Sequence, residues 1–267
     1  MSYLEAVLLL TTSSEINDGR FFKFCDQFLT MKKNNLSFHI FINNSNYDEM
    51  VFLEYITKLS IFKSVLVHIL NIPREIDVYI RNYTHKGDVP QLGLTSGPNH
   101  MFLTAIKYCF DKFNTVLVLE TDCILKQNCF EVSKAYIETI SDFLISGSRY
   151  VGSSVFEPLY SSINLHLNGV AFYNIRSTEF RVLIEQLEAF IIKKVKENPG
   201  MPVSYDMALT LCVLEQPDFK NARRLLSKFI NTTFILNCSL PTDIEITYEE
   251  INTLYPKHVI FHTKRNY

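Results

Sequence analysis

No stretch of this sequence approaches the ~18 consecutive apolar residues that a membrane-spanning helix needs, so no transmembrane segment is expected. Charge of neither sign dominates: 26 Lys and Arg stand against 28 Asp and Glu, for a formal net charge of −2. Dedicated nucleic-acid binders carry a basic surplus, so no nucleic-acid partner is expected. The N-terminal MSYLEAVLLLTTSS has only a short apolar stretch, with Glu5 before it and no basic lead-in. That predicts no signal peptide and a cytoplasmic chain. The cysteines form no CxxC pair and no zinc-finger spacing, so Cys25, Cys109, Cys123, Cys129, Cys212 and Cys238 read as reduced thiols. Without a secretory signal, the Asn-x-Ser/Thr sequons at Asn35, Asn43, Asn82, Asn231 and Asn237 read as products of an Asn-rich sequence. Internal repeats, low-complexity tracts and long linkers are also missing.

What the chain does have is ordinary globular material. Hydrophobic residues make up 47% and charged residues 20%, enough apolar surface to exclude disorder as the dominant state. Apolar runs alternate with helical spacing. Residues 6–10, 36–42, 64–72, 115–119, 150–154, 166–173 and 255–262 read as strands, with a short one at 76–81. Residues 16–33, 47–62, 96–110, 130–144, 177–197 and 204–214 read as helices, with Ser96 and Ser204 as N-caps. Near-continuous apolar strands alternating with helices predict an α/β sheet covered on both faces. Ligands in such sheets bind beyond the carboxyl ends of the strands. Thr11, Thr12, Asn43, Asn44, Glu120 and Asp122 collect there. No GxGxxG follows the first strand, which argues against a dinucleotide-binding oxidoreductase.

Five constellations bear on chemistry. Glu120-Thr121-Asp122 ends an apolar strand with two carboxylates that offer hard oxygen ligands to Mg²⁺ or Mn²⁺; as plain structure, both are solvated loop acids. Leu94-Thr95-Ser96-Gly97-Pro98-Asn99 opens a helix whose backbone N–H groups favour anionic ligands, or is an ordinary capped start. His166-Leu167-Asn168-Gly169-Val170 reads as a strand in which Gly169 admits a close backbone approach, or a β-bulge. Asp206 lies in the first turn of a helix after a Pro/Gly break, as a dipole cap or a general base. His258-Val259-Ile260-Phe261-His262-Thr263-Lys264 delivers His262 from a terminal strand, as a metal ligand or as a structural histidine.

In their order along nearly the whole chain, these segments resemble the GT-A glycosyltransferases, with a layout similar to glycogenin-like enzymes. Glu120-x-Asp122 stands where that family has its DxD motif, Asn168-Gly169-Val170 where it has Asn-x-Gly-Val, and His262 with Lys264 where it has His-x-x-Gly-x-Lys. The first acid, the Asn–Gly spacing and the missing Gly depart from the pattern. The resemblance implies a single Rossmann-like domain over 1–267, with a central, mostly parallel mixed sheet flanked by helices. A nucleotide-binding half would span about 1–122 and an acceptor and sugar half about 123–267; a longer polypeptide around this domain stays open. It implies a metal-dependent glycosyltransferase that moves a sugar from a UDP- or GDP-sugar to a glycan or other hydroxyl acceptor. Asp122, Glu120 and His262 would hold Mn²⁺ or Mg²⁺. Thr11, Thr12, Ser96, Asn99, Glu120, Asp122, Asn168, Gly169 and Lys264 would contact the nucleotide sugar, and Asp206 would be catalytic. A non-catalytic nucleotide-sugar or glycan-binding module of the same fold is the alternative, because fold alone does not carry activity.

Overall fold

The computed structural model describes residues 3–81, 85–151, 166–238 and 248–262. The chain opens with strand β1 (Leu4–Thr11), then helices α1 (Ser13–Asn17) and α2 (Arg20–Asp26), strand β2 (Ser37–Ile42), helix α3 (Glu49–Ile56) and strand β3 (Ser64–Ile69). Helix α4 (Ser96–Cys109) leads into β4 (Thr115–Glu120), β5 (Cys123–Leu125), α5 (Cys129–Thr139), β6 (Ile145–Val151) and β7 (Leu167–Asn174). Helices α6 (Thr178–Glu197), α7 (Tyr205–Leu214) and α8 (Phe219–Leu226) follow. Strands β8 (Phe229–Asn231) and β9 (Ile235–Cys238), helix α9 (Tyr248–Leu254) and β10 (Ile260–His262) complete the described chain.

The strands join in the order β3-β2-β1-β4-β7-β6-β9-β10-β5, with β8 beside β6. Strands β3, β2, β1 and β4 run parallel to one another, whereas β7 is antiparallel to β4 and β6, and β5 to β10. This is a mixed, mostly parallel sheet. The apolar strand runs have a direct cause: successive side chains point to opposite faces, and helices cover both. In β1, Ala6 and Leu8 join one core with α4, α6 and α7, while Val7 and Leu9 join the other with α2, α3 and α5. Val116 and Val118 of β4 divide from Leu117 and Leu119 in the same way. Strand β1 lies between β2 and β4, so the chain order reverses beside it. The gap beyond the carboxyl ends of β1 and β4 is the place such a sheet opens for a ligand.

Several elements differ from the sequence expectation. Residues 76–81 form no strand, because their backbone turns to the lead-in of α4: Ile80 N–H donates to Leu94 O at 2.7 Å and Gly97 N–H to Val78 O at 3.0 Å. Residues 255–262 form a strand only over the last three, because the chain turns at 255–258, where His258 N–H donates to Tyr255 O at 3.2 Å. Helix α3 stops at Ile56. Strand β6 starts at Ile145, ahead of the expected 150, and the expected part beyond Val151 lies outside the described residues, as does the Asn82 sequon. Cys25, Cys109, Cys123, Cys129 and Cys212 are buried free thiols; the Cys238 side chain is outside the described part. No helix among the described residues is long and apolar enough to cross a membrane.

Candidate active site

Strand register assembles the central cluster. Strand β10 pairs with β5 so that His262 lies opposite Cys123, and with β9 so that it lies opposite Asn237. The His262 ring thereby meets the turn after β4. Its Nε2 is 3.1 Å from Asp122 Oδ1 and 3.2 Å from Glu120 Oε2. One ligand atom from each of the three residues lies within 4.8 Å of the others. His262 is only 1% exposed, and its Nδ1 is 3.2 Å from Asn237 Oδ1. A proton on Nδ1 donated to that amide oxygen leaves Nε2 facing the carboxylates. Burial disfavours the charged ring, but the neighbouring Asp122 and Glu120 outweigh burial and hold its pKa up to about 9. The cluster thus attracts positive charge, and two carboxylates with one imidazole could hold a divalent metal ion. A cation binding there competes with the proton on Nε2.

Around the cluster stands a second set of groups. Tyr205, at the start of α7, donates its phenol to Glu120 Oε1 at 3.4 Å and stacks on Phe102 with centroids 3.9 Å apart. Burial first, then the charges of Glu120 and Asp206, push that phenol far above its ordinary pKa, so it stays a neutral donor. Asp206 Oδ1 accepts from the Ser204 hydroxyl and from Met207 N–H at 2.8 Å. Its Oδ2 lies 3.9 Å from His166 Nε2. Ser204 is the N-cap position as expected, with its hydroxyl turned to Asp206 and no side-chain bond to the helix backbone.

At the end of β1, Thr12 caps α1 in a reciprocal box with Glu15. Glu15 Oε2 accepts from Thr12 N–H at 2.8 Å, Thr11 Oγ1 at 3.1 Å and Thr12 Oγ1 at 3.2 Å. Its Oε1 accepts from Thr121 Oγ1 at 2.5 Å, and Arg20 lies 3.6 Å away. Burial lifts the Glu15 carboxyl above its usual range, against the bonds from Thr121 and Thr12 and the charge of Arg20. The expected nucleoside-facing hydroxyls of Thr11 and Thr12 are therefore engaged by Glu15.

Four residues expected at the donor have partners within the protein in this structure. Ser96 is fully buried, is the first residue of α4 with Thr95 as its N-cap, and donates its hydroxyl to Ile76 O. Asn99 is also fully buried. Its amide donates to Leu92 O at 3.1 Å, Thr95 Oγ1 at 3.2 Å and Val203 O at 2.8 Å, which ties two loops together. The start of α4 is covered by residues 76–80. A Cβ placed on Gly97 would meet Asp77 Oδ1 at 2.6 Å, so a carboxylate of the chain lies against this helix start. Asn168 is buried, and its Oδ1 accepts from Val170 N–H at 3.0 Å, a local turn bond. Gly169 makes room for protein: a Cβ there would lie 2.0 Å from the Tyr205 hydroxyl. Lys264 lies outside the described residues.

The structure brings together Glu120, Asp122 and His262, with Asp206 beside Tyr205 on the next helix. Glu15, His166, Tyr205 and Asn237 were missed by sequence reasoning. Only Glu15 carried a local signal, because Thr12-x-x-Glu15 has the spacing of a capping box.

No protein-family model matches the chain, and no curated protein matches it in sequence. Its fold is found in solved glycosyltransferases. Mouse xyloside xylosyltransferase 1, in its apo form, aligns with a TM-score of 0.60 at 13% identity over 98% of each chain. GlyE, a glycosyltransferase of Streptococcus pneumoniae, aligns at 0.54 and 11% identity over 97% of this chain and 54% of that one. The galactosyltransferase LgtC, solved with donor and acceptor sugar analogues, aligns at 0.52 and 9% identity over 97% of this chain and 87% of that one. At such identities the likeness is one of fold: this chain has the GT-A glycosyltransferase fold.

Proposed function

We propose that this chain is a divalent-metal-dependent glycosyltransferase that moves a sugar from a nucleoside diphosphate donor, UDP- or GDP-linked, to a hydroxyl of a glycan or similar acceptor. The observation that carries this reading is the convergence of Glu120, Asp122 and His262 at the carboxyl edge of a GT-A sheet. Asp122 and Glu120 offer oxygens and His262 its Nε2; Asn237 orients the ring, and Tyr205 orients Glu120. Mn²⁺ or Mg²⁺ held there supplies neutralisation of the charge that gathers on the departing nucleoside diphosphate. Asp206 faces the acceptor and takes its hydroxyl proton. Ser204 and Met207 fix one of its carboxylate oxygens, and His166 stands by the other.

Thermal shift with UDP, GDP and NAD, each with and without Mn²⁺, tests the ligand class. A metal-dependent shift with a nucleoside diphosphate is expected, and a shift with NAD alone refutes the reading. Asp122→Ala should abolish transfer and keep the fold. Full activity in that variant removes Asp122 from the site, whereas donor binding without transfer by the wild-type chain marks a non-catalytic module.

A further inference from the structure

Thr121 is the link between the two carboxylates of the cluster, and it is 92% removed from solvent, with 8% exposure. Its hydroxyl reaches into α1 and donates to Glu15 Oε1 at 2.5 Å. The same carboxylate receives the backbone N–H of Thr12 and the hydroxyls of Thr11 and Thr12. One half-buried side chain, Glu15, thus joins the end of β1, the cap of α1 and the turn after β4. Arg20 braces the assembly. Its guanidinium lies 3.6 Å from Glu15 and 2.8 Å from Asp18, within the electrostatic reach of Asp122.

We propose that Glu15 is a positioning residue, which holds the Glu120-Thr121-Asp122 turn in its cation-receiving shape through the Thr121 hydroxyl. The proposal rests on the reading that this cluster takes a divalent cation. A peptide turn that carries ligands on both sides of one residue loses its shape when that residue swings. Groups that hold a ligand from behind commonly matter by 10–100-fold in metal affinity. Among the described residues Glu15 makes no hydrogen bond to Glu120 or His262, and its bond to this turn is the one it accepts from Thr121. A capped helix in this position would need only Thr12 and Glu15. The bond to Thr121 is surplus to capping, and it spans the distance from the first strand's end to the fourth's.

The experiment is a Mn²⁺ titration of the full chain by calorimetry, without nucleotide or activity as readout. Thr121→Val keeps the branched shape and removes the donor; it should weaken Mn²⁺ binding by roughly tenfold or more. Thr121→Ser keeps the hydroxyl and should restore affinity to within about twofold of wild type. Glu15→Leu, which removes the acceptor, should lose at least as much as Thr121→Val, and the double variant should be no weaker than Glu15→Leu alone, because both cut the same bond. The unfolding midpoint of each metal-free variant confirms that the folded chain is titrated. Equal Mn²⁺ affinity in wild type and folded Thr121→Val overturns the positioning role and leaves the metal reading standing. Additive losses in the double variant also overturn it. A wild-type chain that takes up no Mn²⁺ overturns both.

Discussion

Asp206 has one oxygen shared between the Ser204 hydroxyl and Met207 N–H, and the other near His166. A carboxylate held this way is fixed in direction but keeps a lone pair for a further proton. Asp206→Asn preserves shape and removes basicity. In the role proposed above, kcat falls by on the order of 10²–10⁴ while donor affinity holds. Steady-state kinetics against donor concentration separates this from a sugar-holding role, in which KM for the donor would carry the loss. If neither kcat nor KM moves, Asp206 is only a helix cap. Asp206 was legible in the sequence as an acid in a first helical turn. Its neighbour Tyr205 was not, since nothing local to a tyrosine tells whether it fills the space above a distant glycine.

Strands β2 and β3 carry a feature outside the proposed site. Their parallel register brings His39 Nδ1 within 3.0 Å of His68 Nε2, and the rings lie 5° from coplanar. Phe41, Tyr108 and Phe113 surround them, and the Lys112 ammonium sits over the Tyr108 ring. Burial, then the charges of His68 and Lys112, lower the His39 pKa to about 4. A folded-state value below the unfolded value of about 6.5 means the unfolded chain binds the proton first. Stability from the neutral pair is therefore complete above about pH 6.5 and drains away as pH falls toward 4, by on the order of 1–3 kcal/mol. Urea unfolding at pH 7 and pH 4.5, with an NMR titration of the His39 ring, measures both quantities. A ring that titrates near 6.5 contradicts the account. At this scale the sequence spoke clearly where an element is buried on both faces, as β1 and β4 are. Strands β5, β8 and β9 have three or four residues each, too few for any period to register. The cover on the start of α4, residues 76–80, is a tertiary contact that no local pattern announces.

For the molecule as a whole, a cation that joined Asp122 and His262 would act on global unfolding. A ligand that binds only the folded chain raises its stability by about 2.7 kcal/mol at a hundred times its dissociation constant. Mn²⁺ should therefore raise the unfolding midpoint of the wild-type chain, chelation should reverse the rise, and Asp122→Ala should remove it. A rise that survives in Asp122→Ala places the cation elsewhere. An α/β sheet covered on both faces was readable from the apolar runs, whereas the order of the site segments came from the resemblance to GT-A glycosyltransferases. The convergence of His262 was an expectation that only the pairing of β10 with β5 and β9 realises.

That pairing has a consequence for how the protein is made. His262 comes off the ribosome long after Asp122, and the short β10 has nothing to dock on until β5 and β9 are both in place. During synthesis the first half of the chain already holds two carboxylates side by side with no imidazole to join them. The three side chains of the cluster can therefore come together only after β10 has been made and has slotted between β9 and β5.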